Sequence, residues 1–354
     1  MNSLFTRKLL TWNRTDNKRL MPWKGEKDPY KIWLSEIILQ QTRVEQGLQY
    51  YNRFVKAFPT VKDLANAAKT TVYKLWEGLG YYSRCKNLLE TATVIVKKYK
   101  GKFPASYNEI RGLKGIGDYT AAAICSFAYN LPYAVVDGNV IRVLSRYFGI
   151  TTPANNAIGK KMYAGIAQSL LAKDDAGIYN QAIMDFGAII CKPRNPLCLK
   201  CVQKKECQAF ENGWVDILPV KEKKAIRKQR WFYYFVFEIG GAVIIRQRTL
   251  KDIWENLFEF VLLETDHAVS EKELLSDKRL LPFAPNRKYP IFKISDEFKQ
   301  QLTHQTIHAR FIWIKIENAD LVLETNYQLV PIEQLSHFSF PRVIAIYVAE
   351  ALKN

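Results

Sequence analysis

The sequence predicts two globular domains, an all-helical one followed by an α+β one. The chain has 354 residues, which is more than a single compact core usually holds. As far as about residue 210, apolar residues recur at the spacing of amphipathic helices, and no segment there has a strand pattern. Beyond residue 230, runs of aromatic and β-branched residues flank a glycine pair, as in two strands joined by a turn.

The charge balance predicts a polyanionic partner. Lys and Arg number 52 against 34 for Asp and Glu, a formal net charge of +18, which favours nucleic acid. An anionic membrane surface would also attract the chain, but its apolar stretches are too short to span a bilayer and are interrupted by charge, as at Glu238. The N-terminus lacks the apolar core of a secretory signal. We therefore expect a cytoplasmic, nucleoid-associated protein.

The helical domain is expected over residues 1–210. Its helical patterns include "PYKIWLSEIILQQTRVEQGLQYYNRFVKAF" and "TVYKLWEGLGYYSRCKNLLETATVIVKKY", separated by Gly, Pro and Asp. We expect a six-helix part at about 23–131, with the N-terminal helix and residues 132–210 forming the rest. A basic linker is expected over 211–230, because residues 221–230 carry six basic residues and one acidic residue.

The second domain is expected over residues 231–354. "WFYYFVFEI" and "GAVIIRQR" surround Gly240 and Gly241 and predict a strand, a turn and a second strand. "ARFIWIKIE" repeats the strand pattern, and "FPRVIAIYVAEAL" predicts a closing helix.

Two glycines stand at the start of a helical pattern in "LKGIGDYTAAAI". Gly115 and Gly117 can adopt backbone angles closed to other residues, so that successive N–H groups converge as they do in phosphate sites. A second helical pattern, "SYNEIRGLKG", precedes them. This predicts a helix, a glycine hairpin and a helix; the alternative is an ordinary connection between helices.

"LKGIGDYTAAAI" and "VVDGNVIRVLSRYFG", with a cysteine quartet behind them, resemble the helix-hairpin-helix DNA glycosylase superfamily over residues 20–210. "PYKIWLSEIILQQTRV", "LWEGLGYYSRCKNL" and "NQAIMDFGAIIC" narrow the resemblance to the adenine DNA glycosylase (MutY) family. The resemblance implies a hairpin that grips double-stranded DNA. It also implies base excision repair, in which adenine paired with 8-oxoguanine or guanine is removed, and we expect a monomer.

Tyr119 lies in the second helix of the hairpin, where relatives similar to endonuclease III have a lysine. A phenol cannot form the Schiff base with the sugar that an amine forms. The resemblance therefore implies base removal without strand cleavage, with the Tyr119 hydroxyl bonded near the sugar or the carboxylates. The alternative is a tyrosine whose ring packs in the core.

Glu36 lies within "WLSEIILQQT", where Leu34, Ile37 and Ile38 form an apolar face beside it. A lone helix glutamate is usually a solvated surface residue, but apolar neighbours can raise its pKa. A carboxyl that stays neutral near pH 7 can act as a general acid, and adenine leaves a sugar readily once a ring nitrogen is protonated. In the family the glutamate at this position has that role.

Asp137 precedes "GNVIRVL" and could simply be the N-cap of a helix. Cleavage of an N-glycosidic bond builds positive charge on the sugar, and an ionised carboxylate nearby stabilises it. The resemblance gives Asp137 this second role. Asn139 would hold a carboxylate or the attacking water, or would be a second cap.

Cys191, Cys198, Cys201 and Cys207 crowd into seventeen residues. In a reducing compartment this favours a metal site over disulfides, and four thiolates can bind zinc or a [4Fe–4S] cluster. The family binds a [4Fe–4S] cluster at this spacing. Basic residues within the loop suggest a structural cluster that shapes a phosphate-binding surface.

An adenine in a duplex must be flipped out before it can react. Gln40, Gln41 and Tyr81 match family positions that wedge the duplex and contact the opposite base. The alternatives are a solvated helix face for the glutamines and packing for Tyr81.

The second domain resembles the Nudix-like domain of the same family through "RTLKDIWENLFEF" and "LTHQTIHARF". The second motif reads 8-oxoguanine in the family, which implies this role for Thr303 and His304. Leu302 replaces the usual phenylalanine and Thr303 the usual serine, so the hydroxyl is kept and the ring lost. Asn256 stands where the family favours glycine. His304 could instead be a surface or packing residue, and His308 is expected to be structural.

Three alternative functions are also considered for this sequence. A bifunctional glycosylase/lyase for oxidised pyrimidines is opposed by Tyr119 and by the second domain. A Nudix hydrolase needs a glutamate cluster for magnesium, and no such cluster follows Phe260. A silent DNA-binding scaffold is opposed by the joint presence of Glu36, Tyr119, Asp137 and Asn139.

Overall fold

The computed structural model describes residues 2–222, 227–283, 291–316 and 326–351. Its contacts divide the chain into two compact units. Unit 1 comprises Met1–Asn66 and Asn87–Lys223, and unit 2 comprises Ala67–Lys86 and Lys224–Asn354. The described part of unit 1 contains helices and no strand, whereas unit 2 is built on a sheet. The expected fold class, helical and then α+β, is confirmed.

The first 222 residues form twelve α-helices in the described part of the chain. Their bounds are α1 Leu4–Thr15, α2 Pro29–Leu39, α3 Val44–Ala57, α4 Val61–Asn66, α5 Lys69–Trp76, α6 Tyr82–Tyr99, α7 Tyr107–Arg111, α8 Asp118–Tyr129, α9 Gly138–Phe148, α10 Ala157–Leu170, α11 Ala176–Ile189 and α12 Gln208–Glu211. Helix α5 and the first turn of α6 belong to unit 2. In the part of the chain that the structure describes, every helix is too short or too polar to span a membrane.

Two packing arrangements position the helices of unit 1. Helix α2 is apolar on almost all sides and is buried along most of its length, in contact with α8 and α3. The N-terminal helix α1 packs instead against α11, where Trp12 meets Phe186 edge to face at 4.9 Å. Residues of α1, α9, α10 and α11 form one apolar core. Helix α1 therefore packs in the same core as residues 138–189.

The helix, glycine hairpin and helix predicted from the sequence are α7, the turn at 112–117 and α8. Gly115 has φ +77°, and a Cβ there would lie 2.7 Å from the Cβ of Asn87. Both the backbone angle and the space therefore require glycine. Gly117 is the N-cap of α8, and no side chain caps that helix.

Unit 2 contains a mixed eight-stranded sheet in its described residues. Its elements are β1 Lys228–Ile239, β2 Ala242–Gln247, β3 Phe258–Glu259, β4 Val261–Thr265, α13 Glu271–Ser276, β5 Ile291–Ile294, β6 Phe298–Gln301, β7 Gln305–Ile316, β8 Tyr327–Pro331 and α14 Arg342–Ala351. The order is β3-β2-β1-β7-β5, with β4 paired to β1, β6 to β7 and β8 to β2. Strands β1 and β7 run parallel, from Lys228 opposite Gln305 to Ile239 opposite Ile316.

The strand and helix predictions for the second domain are confirmed by β1, β2, β7 and α14. The domain bounds differ from the expectation in three places: segment 67–86 lies in unit 2, residues 211–222 lie in unit 1, and β1 begins at Lys228, inside the expected basic linker. Charge made 228–230 resemble a linker, but Lys228 pairs with Gln305 and the Arg230 side chain is buried against carboxylates. Sheet pairing and ion pairing therefore outweigh the local composition. Part of the expected linker, residues 223–226, lies outside the described residues.

Candidate active site

Unit 1 contains a cavity of about 420 Å³ that is partly open to solvent. Four side chains singled out from the sequence line it: Glu36 from α2, Tyr119 from α8, and Asp137 and Asn139 from the start of α9. The packing of α2 on α8 brings the first two together, and Gln40 Nε2 donates to Thr120 Oγ1 at 3.3 Å at the end of that contact. Residues far apart in sequence thus share one concave site.

Glu36 is 7% exposed. Burial raises the pKa of its carboxyl to about 7, although a hydrogen bond with Tyr119 opposes the shift, and the charge of Asp137 adds to it. The carboxyl is therefore divided between its acid and its ionised form near neutral pH. The solvated-surface alternative for Glu36 is wrong, because α2 is enclosed on this side by α8.

A hydrogen bond joins the hydroxyl of Tyr119 to the carboxyl of Glu36. Burial and the nearby carboxylates raise the pKa of the phenol well above its ordinary value. The hydroxyl is therefore neutral and donates to the carboxylate form of Glu36. Its position against a titrating carboxyl in the cavity, rather than in an apolar core alone, distinguishes it from a packing tyrosine.

Asp137 is the N-cap of α9 and also lines the cavity. Its Oδ1 accepts from the amide N–H of Val140 at 2.7 Å, and its Oδ2 accepts from Asn139 Nδ2 at 2.7 Å. Burial raises the pKa of Asp137, and these hydrogen bonds and Arg142 oppose that shift. The capping alternative and the site alternative are therefore compatible. Asn139 holds the carboxylate, as one of its expected roles required.

Arg142 connects this corner of the site to the cysteine loop. Its Nη2 donates to Asn139 Oδ1 at 2.8 Å and to the carbonyl oxygen of Gly187 at 2.7 Å. Its Nε donates to the carbonyl oxygen of Cys191 at 2.7 Å. The orientation of Asn139, and through it that of Asp137, thus depends on the backbone at the first cysteine.

Sequence reasoning missed the wall of the cavity formed by residues 19–27, which includes Arg19 and Lys24. Both side chains form ion pairs with Asp185, which is fully buried in α11, at 2.8 and 3.0 Å. Gln181, one turn earlier in α11, also lines the cavity and donates its Nε2 to Asp185 at 3.0 Å. Segment 19–27 has no helical or strand period, so no pattern indicated it. The four-residue spacing of Gln181 and Asp185 was the one available signal.

The four cysteines Cys191, Cys198, Cys201 and Cys207 surround a second, small cavity of about 30 Å³. Arg146 Nη1 donates to Cys191 Sγ at 3.4 Å, and Cys207 Sγ donates to the carbonyl oxygen of Arg146 at 3.4 Å. Among the described residues, no group of three or more His, Cys, Asp or Glu side chains is arranged to hold one metal ion. The four thiols nevertheless line one cavity, and four cysteine thiolates are the donor set of an iron–sulfur cluster rather than of a single ion here.

The remaining residues expected to contact DNA lie at exposed turns. In unit 1, Gln41 is exposed with φ +56°, one residue beyond the C-cap of α2, and Gly115 and Gly117 are exposed in the hairpin. In unit 2, Tyr81 is 45% exposed with φ +48°. The Arg84 guanidinium lies 5.3 Å from the centre of the Tyr81 ring.

Thr303 and His304 are exposed in the turn between β6 and β7. The hydroxyl of Thr303 lies 3.2 Å from the hydroxyl of Tyr81, so unit 2 brings two of the expected reading residues together. His308 stacks on Trp231 at 4.8 Å and bonds Glu297 and Gln229, in agreement with its expected structural role.

Asn256 has φ +69°, in the left-handed region that glycine favours. Asparagine tolerates this region better than most residues, so the turn is kept where the family favours glycine. The side chain also gains a partner, since its Nδ2 donates to the hydroxyl of Tyr73 at 3.1 Å.

The chain matches two family models. Residues 34–167 match the HhH-GPD superfamily of base excision DNA repair proteins, and residues 232–350 match the NUDIX domain. The first match spans the helices that carry Glu36, Tyr119, Asp137 and Asn139. The fold and site thus define a DNA glycosylase of the HhH-GPD superfamily with a C-terminal NUDIX domain.

Similar proteins narrow the family. An adenine DNA glycosylase of Buchnera aphidicola (subspecies Baizongia pistaciae) is 34% identical over 91% of this chain and 89% of its own. That of Homo sapiens is 38% identical over 58% of this chain and 39% of its own. A thermostable thymine-DNA glycosylase structure has a TM-score of 0.55 at 33% identity, over 59% of this chain and 96% of its own. The chain belongs to the adenine DNA glycosylase family, which confirms the resemblance read from its motifs.

Proposed function

We propose that this protein is a monofunctional adenine DNA glycosylase. It removes adenine paired with 8-oxoguanine or guanine by hydrolysing the N-glycosidic bond, as a step of base excision repair. The observation that carries the proposal is the pair of carboxyls in one cavity, Glu36 bonded to a neutral phenol and Asp137 bonded to amide donors. Catalysis belongs to the domain at 1–210, and reading of the opposite base to 231–354 together with Tyr81.

Glu36 supplies the proton. With a pKa of about 7, a large fraction of its carboxyl is protonated at neutral pH, and it can donate to a ring nitrogen of the flipped adenine. The protonated base then leaves with the electron pair of the glycosidic bond. The Tyr119 hydroxyl stabilises the carboxylate that remains on Glu36.

Asp137 stabilises the positive charge that develops on the sugar as the bond breaks. Three fixed contacts favour its ionised form: the Val140 amide, the Asn139 amide and the charge of Arg142. A water then adds its oxygen to the sugar carbon and releases a proton to a carboxylate of the site. The product is an abasic sugar, which still links the two halves of the strand.

The amines of the cavity oppose a lyase reaction. Lys24 Nζ donates to Asp185 and to the carbonyl oxygen of Arg19, both at 3.0 Å. Lys27 Nζ donates to the carbonyl oxygen of Phe127 at 3.0 Å. A Schiff base requires a nitrogen lone pair directed at the sugar, and Tyr119 occupies the position where the bifunctional relatives have their lysine.

Double-stranded DNA is the proposed partner, bound by a monomer. The net charge of +18 attracts the phosphate backbone. The first turn of α8 follows Gly117 and is not capped by a side chain, which leaves its N–H groups for a phosphate. Gln40 and Gln41 would enter the space of the flipped base. This substrate would place the protein at the nucleoid.

A [4Fe–4S] cluster is the proposed cofactor, held by Cys191, Cys198, Cys201 and Cys207. The set of four thiols and the Arg146 donor to Cys191 Sγ support it, since donors to a ligating sulfur stabilise its negative charge. With all four thiols engaged, the cluster has a structural role. Iron and sulfide analysis of the purified protein tests this: four irons per chain are expected, and zinc without iron would contradict it.

Thr303, His304 and Tyr81 are proposed to read the base opposite the adenine. Their exposure and the contact between Tyr81 and Thr303 support this role. The hydroxyl of Thr303 can bond a base edge as a serine would, and the ring of Tyr81 can stack.

A single-turnover assay on duplexes with adenine opposite 8-oxoguanine and opposite guanine tests the function. Strand breaks are scored with and without alkali. Breaks only after alkali, and faster opposite 8-oxoguanine, are expected. Breaks without alkali would favour the lyase alternative, and the absence of breaks under both conditions would refute a glycosylase for this substrate.

A further inference from the structure

A charged group with many hydrogen bonds lies near the beginning of β1, in unit 2. Arg230 is 8% exposed, and its guanidinium forms paired hydrogen bonds with two carboxylates. Glu264 accepts from Nε at 2.6 Å and from Nη2 at 2.8 Å. Asp252 accepts from Nη1 at 3.0 Å and from Nη2 at 2.7 Å. Two carboxylates, each bonded to two N–H groups, hold the guanidinium in one orientation.

The fifth N–H of this guanidinium has a different partner. Nη1 donates to Gln305 Oε1 at 3.1 Å, which brings all five donors of Arg230 into use. A guanidinium can only donate, so Gln305 must present its amide oxygen and not its NH₂ group. Because the carboxylates hold the guanidinium in one orientation, they also fix where the oxygen of Gln305 can lie.

Gln305 closes the turn that carries the expected reading residues. Its carbonyl oxygen accepts from the amide N–H of Leu302 at 2.8 Å, and the carbonyl oxygen of His304 accepts from the amide N–H of Lys228 at 3.0 Å. Thr303 and His304 stand exposed between these two contacts. The turn is therefore held at β1 by the main-chain bond of His304, by the β1–β7 pairing that begins at Gln305, and by the Gln305 side chain.

We propose that Arg230 and Gln305 position the turn Leu302–Gln305 for discrimination of 8-oxoguanine from guanine. This rests on the proposed function, because it concerns how the same turn reads the opposite base. Thr303 extends one hydroxyl from the turn, so a small rotation of the turn displaces that oxygen from a base edge. The Gln305 side chain adds a contact with a buried, fully bonded guanidinium to the main-chain bonds of the turn, and so limits that rotation further.

Gln305 affects the discrimination between 8-oxoguanine and guanine, and not the cleavage of the glycosidic bond itself. Glu36 and Asp137 belong to unit 1, whereas Arg230, Gln305 and Thr303 belong to unit 2. Loss of the Gln305 contact is therefore expected to slow excision opposite 8-oxoguanine while leaving the slower excision opposite guanine unchanged. A general structural defect would lower both rates by the same factor.

Gln305→Met in the full-length holoprotein is the test, since methionine keeps the length of the side chain and removes the acceptor. Gln301→Met, at an exposed position of β6 in the same hairpin, is the matched control. The ratio of single-turnover rates, 8-oxoguanine over guanine, is expected to fall about two- to fivefold in Gln305→Met, no further than on loss of the Thr303 hydroxyl that Gln305 positions, and to stay at the wild-type value in Gln301→Met. Combining Gln305→Met with Thr303→Val is expected to lower the ratio no further than Thr303→Val alone.

An unchanged ratio in Gln305→Met, or an equal fall of both rates, would overturn the inference. Wild-type protein that removes adenine without preferring 8-oxoguanine would instead overturn the proposed reading of the lesion, and the inference with it. Arg230→Lys is a second variant, because a lysine has too few donors for both carboxylates and Gln305. Its ratio is expected to fall at least as far, and a wild-type ratio in folded Arg230→Lys protein would also contradict the anchor.

Discussion

The hydroxyl oxygens of Tyr81 and Thr303 lie 3.2 Å apart although 222 residues separate them in the sequence. They meet because segment 67–86 packs with the C-terminal part of the chain, in unit 2. Lys74 Nζ donates to the carbonyl oxygen of Phe338 at 3.0 Å, and Lys86 forms an ion pair with Glu255 at 2.7 Å. A stacking ring and a hydrogen-bonding hydroxyl thus form one surface.

Removal of either hydroxyl is expected to weaken this surface. Tyr81→Phe and Thr303→Val should each lower the ratio of excision rates opposite 8-oxoguanine and guanine by about two- to fivefold, the effect of one exposed neutral hydrogen bond. The double variant should lose less than the product of the two effects, because the hydroxyls bond each other. Single-turnover kinetics measure the ratio, with Tyr99→Phe as control. Fully multiplicative losses would show that the two residues act separately.

The pH dependence of excision should report Glu36. Its carboxyl must be protonated to donate, and its pKa is raised to about 7. The rate is therefore expected to fall about tenfold per pH unit well above pH 7. Tyr119→Phe removes a hydrogen bond that lowers this pKa, so the alkaline limb should move to higher pH. A rate independent of pH between 6 and 9 under single-turnover conditions would contradict Glu36 as the acid.

The same carboxyl should make the protein less stable at alkaline pH. Its pKa is about 7 in the folded state against an ordinary 4.5, so the unfolded chain ionises first as pH rises, and stability is lost between these values. The loss by pH 8 is on the order of 3 kcal/mol. Glu36→Gln should therefore raise the melting temperature at pH 8, leave it nearly unchanged at pH 4, and abolish excision. Exposed Glu109→Gln is the control, and equal melting of wild type and Glu36→Gln at pH 8 would refute the buried charge.

Sequence patterns predicted most of the architecture, because burial of one face requires apolar residues at regular spacing along helices and strands. The runs that became β1 and β7 are aromatic and β-branched, and the glycine at 115 marks a left-handed turn that no other residue fits. The sequence predicted that Arg230 lies in a basic linker, because the run of basic residues is visible locally and its carboxylate partners are not. Its carboxylate partners, Asp252 and Glu264, lie 22 and 34 residues away.

The site was only partly predictable for the same reason. The motifs that contain Glu36 and Asp137 gave their candidate roles through resemblance. Their contacts depend on how α2, α8 and α9 pack, which no local pattern specifies. The wall at Arg19 and Lys24 has no periodic signal, and only the folded chain brings both cations to the buried carboxylate of Asp185.

Asn139 should matter to the rate more than to DNA binding. Its amide donates to Asp137 at 2.7 Å and its oxygen is held by Arg142. Asn139→Ala removes a hydrogen bond to a charged group, worth about 1.5–3 kcal/mol, and should slow excision about 10- to 100-fold. Affinity for duplex DNA should stay within about twofold. Asn212→Ala, at an exposed asparagine, is the control, and a wild-type rate in Asn139→Ala would show that Asp137 needs no such support.

Asn256 offers a test of backbone conformation in unit 2. Its φ of +69° suits glycine and asparagine, and its side chain donates to Tyr73. Asn256→Gly keeps the conformation and loses the hydrogen bond, whereas Asn256→Ala loses the bond and places a Cβ in the left-handed region, at an additional cost of about 1–2 kcal/mol. Thermal unfolding should therefore rank wild type above Asn256→Gly, and Asn256→Gly above Asn256→Ala. Tyr73→Phe isolates the hydrogen bond and should resemble Asn256→Gly. An alanine variant as stable as the glycine variant would show that the turn relaxes to another conformation.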